Sequence, residues 1–249
     1  MLDLTSSRLR ARLRSGEGFG VFWLSLGSLP VVEFAVNAGA AAIVLDGQHG
    51  LWERNGLEAA IAAAGNHCPV IVRVAENGAT VIGQALDAGA EGVLVPLVES
   101  GAEAAAAVSH AHFPPHGTRS GGGVRPLSGN FGAYLGAARD RTAVGVMIET
   151  RAGLERRAEI VATPGLDFLL IGTGDLSISL GVAGPADPRV EKACAAILAS
   201  CRAASLPCGI FTGNAEAGRA RLAAGYAMSV LANDIDVLAT GFRRAAEPG

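Results

Sequence analysis

A short apolar run, a Gly-marked or polar turn and an Ala-rich helical stretch follow one another along this chain, and the apolar runs number eight. They are Phe19–Leu26, Ala42–Asp46, Val70–Val74, Gly92–Pro96, Ala143–Glu149, Asp167–Gly172, Pro207–Thr212 and Ala227–Ala232. Runs this continuous read as strands covered on both faces, and strands alternating with helices argue a parallel sheet. Between them, Leu29–Ala38, Ala79–Ala88, Ala102–Ala111, Gly153–Ala162 and Pro188–Ala203 read as helices. Several helices close on an Ala-Gly phrase, as in Asn37-Ala38-Gly39-Ala40 and Asp87-Ala88-Gly89-Ala90, where glycine supplies the left-handed residue past the helix end.

Eight such units in 249 residues predict a single domain over 1–249, an α/β fold of the (β/α)8 TIM-barrel type. The structural competitor is a doubly wound open sheet, which carries a Gly-rich fingerprint after its first strand. Here that strand ends Leu24-Ser25-Leu26-Gly27-Ser28, with no such motif. Phe113 to Thr142, with Pro114-Pro115, Gly121-Gly122-Gly123 and Pro126, reads as one long functional connection. Arg8, Arg10, Arg12 and Arg14 mark a short solvated helix ahead of the first strand.

Composition narrows the chemistry. At 50% hydrophobic and 17% charged the chain can bury a large core, which excludes disorder. A net charge of -3 gives no long-range attraction to nucleic acid or an anionic membrane. No apolar stretch reaches the ~18 residues of a membrane span. Cys68, Cys194, Cys201 and Cys208 show no C-x-x-C spacing and read as buried, reduced thiols of a cytoplasmic chain. Of the 20 basic residues only Lys192 is a lysine, so any Schiff-base chemistry must use it.

In a barrel the C-terminal ends of the strands converge on one face. The second run leads into Asp46-Gly47-Gln48-His49, the third carries Arg73, the fifth ends at Glu149, and the sixth leads into Gly172-Thr173-Gly174-Asp175. Glu149 and Asp175, at adjacent strand ends, suit a hard divalent cation. The plainer alternatives are an ion pair of Glu149 with Arg151 and a helix cap for Asp175. Asp46, three residues before His49, is placed to orient the imidazole of a general base, although a histidine there also serves as a structural donor. Arg73 either bridges a core carboxylate or presents fixed charge to an oxyanion. Gly172-Thr173-Gly174 exposes amides at a helix start, a seat for a substrate carboxylate. His110, His112 and His116 invite a zinc reading, but their Pro-Pro neighbourhood fits a surface turn equally well.

Taken in order, Leu45-Asp46-Gly47-Gln48-His49, Pro69-Val70-Ile71-Val72-Arg73, Leu94-Val95-Pro96, Phe113-Pro114-Pro115-His116-Gly117-Thr118-Arg119, Ile148-Glu149-Thr150 and Ile171-Gly172-Thr173-Gly174-Asp175-Leu176-Ser177 carry a resemblance over nearly the whole chain. The sequence resembles the class II pyruvate aldolases of the 4-hydroxy-2-oxoheptanedioate aldolase (HpcH/HpaI) family. That resemblance implies Mg²⁺ or Mn²⁺, with Co²⁺ as another divalent choice, held by Glu149 and Asp175. It implies His49 as acid/base, Asp87 raising its basicity, Arg73 stabilising an enolate, and amides around Gly172, Thr173 and Gly174 holding the pyruvate carboxylate. The implied reaction is reversible cleavage of a 4-hydroxy-2-oxo acid to pyruvate, or a related 2-oxo acid, and an aldehyde through a metal-bound enolate. The implied assembly is a homo-oligomer, a hexamer built as a trimer of dimers, that exchanges C-terminal helices over 235–244.

Two positions depart from the family pattern. Gln48 stands where the family usually has Glu, and Met147, at a substrate-binding position, stands where it usually has Gln and cannot donate a hydrogen bond. Two other functions stay open: a CoA-ester lyase of the citrate-lyase-like type, and a non-catalytic barrel that binds 2-oxo acids. On the barrel Lys192 falls on an outer helix, away from every strand end, which excludes a Schiff-base aldolase.

Overall fold

A computed structural model describes residues 7–247. Eight parallel strands close into a barrel in sequence order: β1 (Phe19–Leu24), β2 (Ile43–Asp46), β3 (Val70–Arg73), β4 (Gly92–Val95), β5 (Ala143–Ile148), β6 (Phe168–Ile171), β7 (Cys208–Ile210) and β8 (Met228–Asn233), with β8 returning to β1. Seven of the eight predicted runs contain their strand whole, and β8 runs one residue past the eighth. The helices before and between the first strands are α1 (Arg8–Arg14), α2 (Leu29–Asn37), α3 (Arg54–Ala64), α4 (Ala79–Asp87) and α5 (Gly101–Ala111). Those that follow are α6 (Val124–Leu127), α7 (Phe131–Arg141), α8 (Arg151–Glu155), α9 (Arg157–Val161), α10 (Thr173–Leu180), α11 (Pro188–Ala203), α12 (Ala215–Ala223) and α13 (Asp234–Ala246).

Continuous apolar strands produce two cores. Inside the barrel Val21, Trp23, Val44, Ile71, Leu94, Met147, Phe168, Leu170 and Val230 pack on one another. Outside it, alternate strand residues such as Ile43, Leu45, Val93, Val146 and Leu169 meet the apolar stripes of the helices. Each face is therefore dry, and the polar residues that remain on the strands sit at their ends.

Three expectations about the periphery change. The leading arginine helix is solvated on one side only: Arg12 and Arg14 are exposed, but Leu9 and Leu13, one turn apart on α1, seal the N-terminal end of the barrel and join the interior core. Arg8 pairs with Glu91, whose carboxylate also accepts the Leu9 amide, and Arg10 bonds Asp167 at 2.8 Å. The stretch from Phe113 to Thr142 is not one loop, because it contains α6 and α7. Starting at the C-terminal end of α5, it lies at the rim around the N-terminal ends of the strands. The predicted helix over Gly153–Ala162 is broken at Arg156 into α8 and α9.

Candidate active site

Strand register brings the first pair of functional side chains together. Asp46 and Arg73 are direct partners across β2 and β3 and project to the same side. Arg73 donates from Nε to Asp46 Oδ1 at 2.8 Å and from Nη2 to Oδ2 at 2.6 Å, a forked ion pair within the barrel mouth. The guanidinium lies over the Trp23 ring, 4.8 Å from its centroid. Asp46 also accepts from Trp23 Nε1 and Ser25 Oγ, each at 3.3 Å, and from the amides of Gln48 and His49. Burial alone would push the Asp46 carboxyl up, but the Arg73 bonds and charge, with the His49 amide and Trp23, hold it below the usual carboxylate range. Arg73 thus bridges a core carboxylate along one edge of its guanidinium, while Nη1 bonds nothing among the described residues.

This network corrects the role expected of Asp46. Its oxygens are occupied by Arg73 and by backbone amides, so it orients Arg73 and does not orient the His49 imidazole. His49 is exposed, and its ring makes no hydrogen bond among the described residues.

On the opposite wall, Glu149 follows β5 and Asp175 sits in the first turn of α10, which follows the adjacent β6. Glu149 is 1% exposed. Its Oε1 accepts the Leu97 amide at 2.8 Å, and its Oε2 is buried without any partner. Leu97 takes a left-handed φ of 55° after Pro96, a bend in the β4 exit that aims its amide at Glu149. Burial raises the Glu149 carboxyl to about 7; the Leu97 bond opposes this and the Asp175 charge adds to it. The plainer alternatives for these acids fail. The Arg151 guanidinium donates to the Leu180 carbonyl, and Gly172, not Asp175, holds the N-cap position of α10.

Gly172 is a glycine because Glu149 needs the space: a β-carbon there would collide with Glu149 Oε2 and lie 2.8 Å from its Cβ. Thr173 spends its hydroxyl on the Phe211 carbonyl at 3.0 Å, leaving only its amide. The first-turn amides of Thr173, Gly174 and Asp175 have no acceptor within the helix, and nothing lies within 4 Å of a β-carbon built on Gly174. Met147 is buried beneath this wall in the interior core. Gln48 Oε1, across the mouth, is buried without a partner.

Glu149 and Asp175 fit a hard cation. The orphaned Oε2 is a desolvated acceptor that lacks a donor, and the missing side chain at Gly172 leaves it room against the β6 exit. Among the described residues no three His, Cys, Asp or Glu side chains gather as a metal-binding group, and His110, His112 and His116 form no zinc site. His112 is buried and shifted toward the neutral form, by burial first and then by Arg10.

Asp87 is the one expected site residue that this chain does not bring to the mouth. It ends α4, and in a parallel barrel helices end at the rim where strands begin. There it bonds Arg119, at the far end of the barrel from His49. Sequence reasoning missed Leu97, which acts through its backbone, and Trp23 and Ser25, which hold Asp46. It also missed Asp234, whose carboxylate accepts the amides of Ser25 and Leu26 and ties the first strand exit to α13.

The fold and the mouth together define a (β/α)8 barrel with a buried glutamate and a half-buried aspartate facing a locked arginine. Residues 20–240 match the HpcH/HpaI aldolase/citrate lyase family. Over 222 residues, 88% of this chain and 86% of the relative, it is 36% identical to 4-hydroxy-2-oxovalerate aldolase of Rhodococcus jostii (strain RHA1). Over 250 residues, 98% of this chain and 93% of the relative, it is 31% identical to hydroxypyruvate/pyruvate aldolase of Pseudomonas aeruginosa. The crystal structure of an HpcH/HpaI aldolase/citrate lyase family protein from Burkholderia cenocepacia J2315 is similar with a TM-score of 0.91 at 34% identity, covering 96% of this chain and 98% of that one. The chain belongs to the HpcH/HpaI aldolase/citrate lyase family, and it is a carbon–carbon lyase.

Proposed function

We propose that this protein is a divalent-metal-dependent aldolase that reversibly cleaves 4-hydroxy-2-oxo acids to pyruvate, or a related 2-oxo acid, and an aldehyde. The observation that carries the reading is the unpartnered, buried Oε2 of Glu149 beside Asp175, facing an arginine with one free edge. Mg²⁺ or Mn²⁺ held by Glu149 and Asp175 would draw electrons from the 2-oxo group and share its negative charge. The first-turn amides of α10 seat the substrate carboxylate. His49 takes the proton of the 4-hydroxyl, the C3–C4 bond breaks, and the bonding electrons move toward the 2-oxo oxygen. Arg73, fixed by Asp46 along Nε and Nη2, offers Nη1 to that oxygen at no cost in reorientation. Met147 supplies an apolar floor and no donor, so substrate orientation falls to the α10 amides and Arg73.

Among the described residues a barrel acting alone leaves the His49 ring without a carboxylate partner. The reading of Asp87 as the group that raises His49 basicity therefore requires a second copy of this chain, with Asp87 of one copy reaching His49 of the next. Exposed apolar residues suit such an assembly. Val124 is 83% exposed and Leu127 58%, just past the loop that packs on Asp87, and Phe242 on α13 is 71% exposed beside Val237 and Leu238. The proposed assembly is a homo-hexamer that exchanges α13, acting as one functional unit per 1–249 chain. Its proposed compartment is the cytoplasm, which suits four buried, unpaired cysteines. The CoA-ester lyase reading has less support, because the relatives at 36% and 31% identity carry aldolase names.

The test is proton exchange. With Mg²⁺ or Mn²⁺ in D₂O, the protein should exchange the methyl protons of pyruvate, and chelation or Glu149→Ala should abolish the exchange. Exchange that survives chelation, or tight pyruvate binding with no exchange, would remove the aldolase reading.

A further inference from the structure

Asp87 sits in a socket, and the socket is built by the segment between α5 and β5. Arg119 is 2% exposed and enters from that segment. Its Nη2 donates to Asp87 Oδ1 at 2.7 Å and to the Tyr134 hydroxyl at 2.7 Å. The guanidinium lies over the Phe113 ring at 4.5 Å and beside the Tyr134 ring at 5.8 Å, which leaves it one orientation. Its Nε and Nη1 are buried with no partner, so Asp87 is the carboxylate that offsets a desolvated cation. A second contact shapes the same socket. Gly123, at φ 92°, lays its backbone against Asp87, where a β-carbon would come within 2.8 Å of Asp87 Cγ. Arg125, the other cation close by, is spent on the carbonyls of Ala88 and Glu58.

The result is an aspartate held by one oxygen and free at the other. Oδ2 accepts nothing among the described residues, and the Asp87 side chain remains 25% exposed. A tie that served only to fasten the segment to α4 has no need of an outward-facing oxygen. We infer that Arg119 is a positioning residue for catalysis: it fixes the Asp87 carboxylate so that Oδ2 is presented to His49 of a neighbouring copy. This rests on the reading of Asp87 given above, and it assigns the segment between α5 and β5 a role in the neighbour's site.

The experiment is a double-mutant cycle on the full-length protein, with retro-aldol rates measured across pH in saturating Mg²⁺ and oligomeric state and Tm recorded for each variant. Loss of a carboxylate that faces a general-base imidazole moves the acidic limb of the pH–rate profile to lower pH. Arg119→Met should lower kcat by about 10–100-fold with KM little changed, and shift that limb in the same direction as Asp87→Asn. In the Asp87→Asn background it should add nothing. Arg119→Lys should recover part of the rate. Should Arg119→Met fail to fold, Tyr134→Phe removes one acceptor from Arg119 and keeps the ring, and it should give a smaller loss with the same limb shift. Fully additive losses, or a lowered Tm with an unmoved limb, would make Arg119 a structural tie and overturn the inference alone. An Asp87→Asn variant with the parent profile would overturn the reading of Asp87 and the inference with it.

Discussion

Glu149 has its Oε1 on the Leu97 amide and its Oε2 bare, and burial lifts its carboxyl from 4.5 to about 7. In the metal-free protein the folded state keeps this proton through a range in which the unfolded chain has lost it. The stabilising contribution is complete below about 4.5 and drains away as pH rises through about 7. Gln mimics the protonated acid, so in EDTA Glu149→Gln should melt several degrees above the parent at pH 8.5 and level with it at pH 4.5. A parent Tm advantage at pH 8.5 in calorimetry would contradict the burial argument. At this scale the strand-end rule exposed Glu149, Asp175, Arg73 and His49, because side chains that interrupt an apolar run stand out. The partner of Asp46 was hidden for a definable reason. Three residues of sequence separation suggested His49, but parallel register sets Asp46 directly against Arg73. Leu97 was illegible because its contribution is an amide aimed by backbone conformation, which its side chain does not report.

The element most easily misread is α1, whose four arginines suggest a solvated surface and mask the single apolar stripe of Leu9 and Leu13. That stripe closes the end of the barrel opposite the proposed site, with Leu9 fully buried. The positions of the two elements separate stability from chemistry. Leu9→Ala should cost about 3 kcal/mol, the middle of the range for truncating a buried leucine, and lower Tm by roughly 10 °C. Its kcat for pyruvate proton exchange at 25 °C should stay near that of the parent. A large fall in kcat with an unchanged Tm would mean that α1 communicates with the mouth. The helix α7 carries no legible period for a related reason: Tyr134 and Ala138 are its only buried residues, too few to stand out against the Gly- and Pro-rich stretch ahead of it.

At the scale of the molecule the repeat of eight units dictated barrel closure, since each strand's neighbours are its neighbours in sequence and β8 has only β1 left to meet. Assembly was not legible in the same way, because a residue that serves another copy carries no periodic mark in its own. If Asp87 acts on His49 across copies, the two residues can be supplied by different chains, and this has a statistical consequence. His49→Ala retains Asp87, and Asp87→Asn retains His49. When the two variants are co-expressed one to one and assemble at random, about one quarter of the His49–Asp87 sites combine both intact residues, one from each chain. The mixed protein should therefore recover about one quarter of the parent kcat in the retro-aldol assay, well above either variant alone. Mixing the two after separate purification, without subunit exchange, should recover none of it. Should His49 and Asp87 act within one chain, every chain in the mixture lacks one of them, and co-expression would yield no more than the average of the two variants.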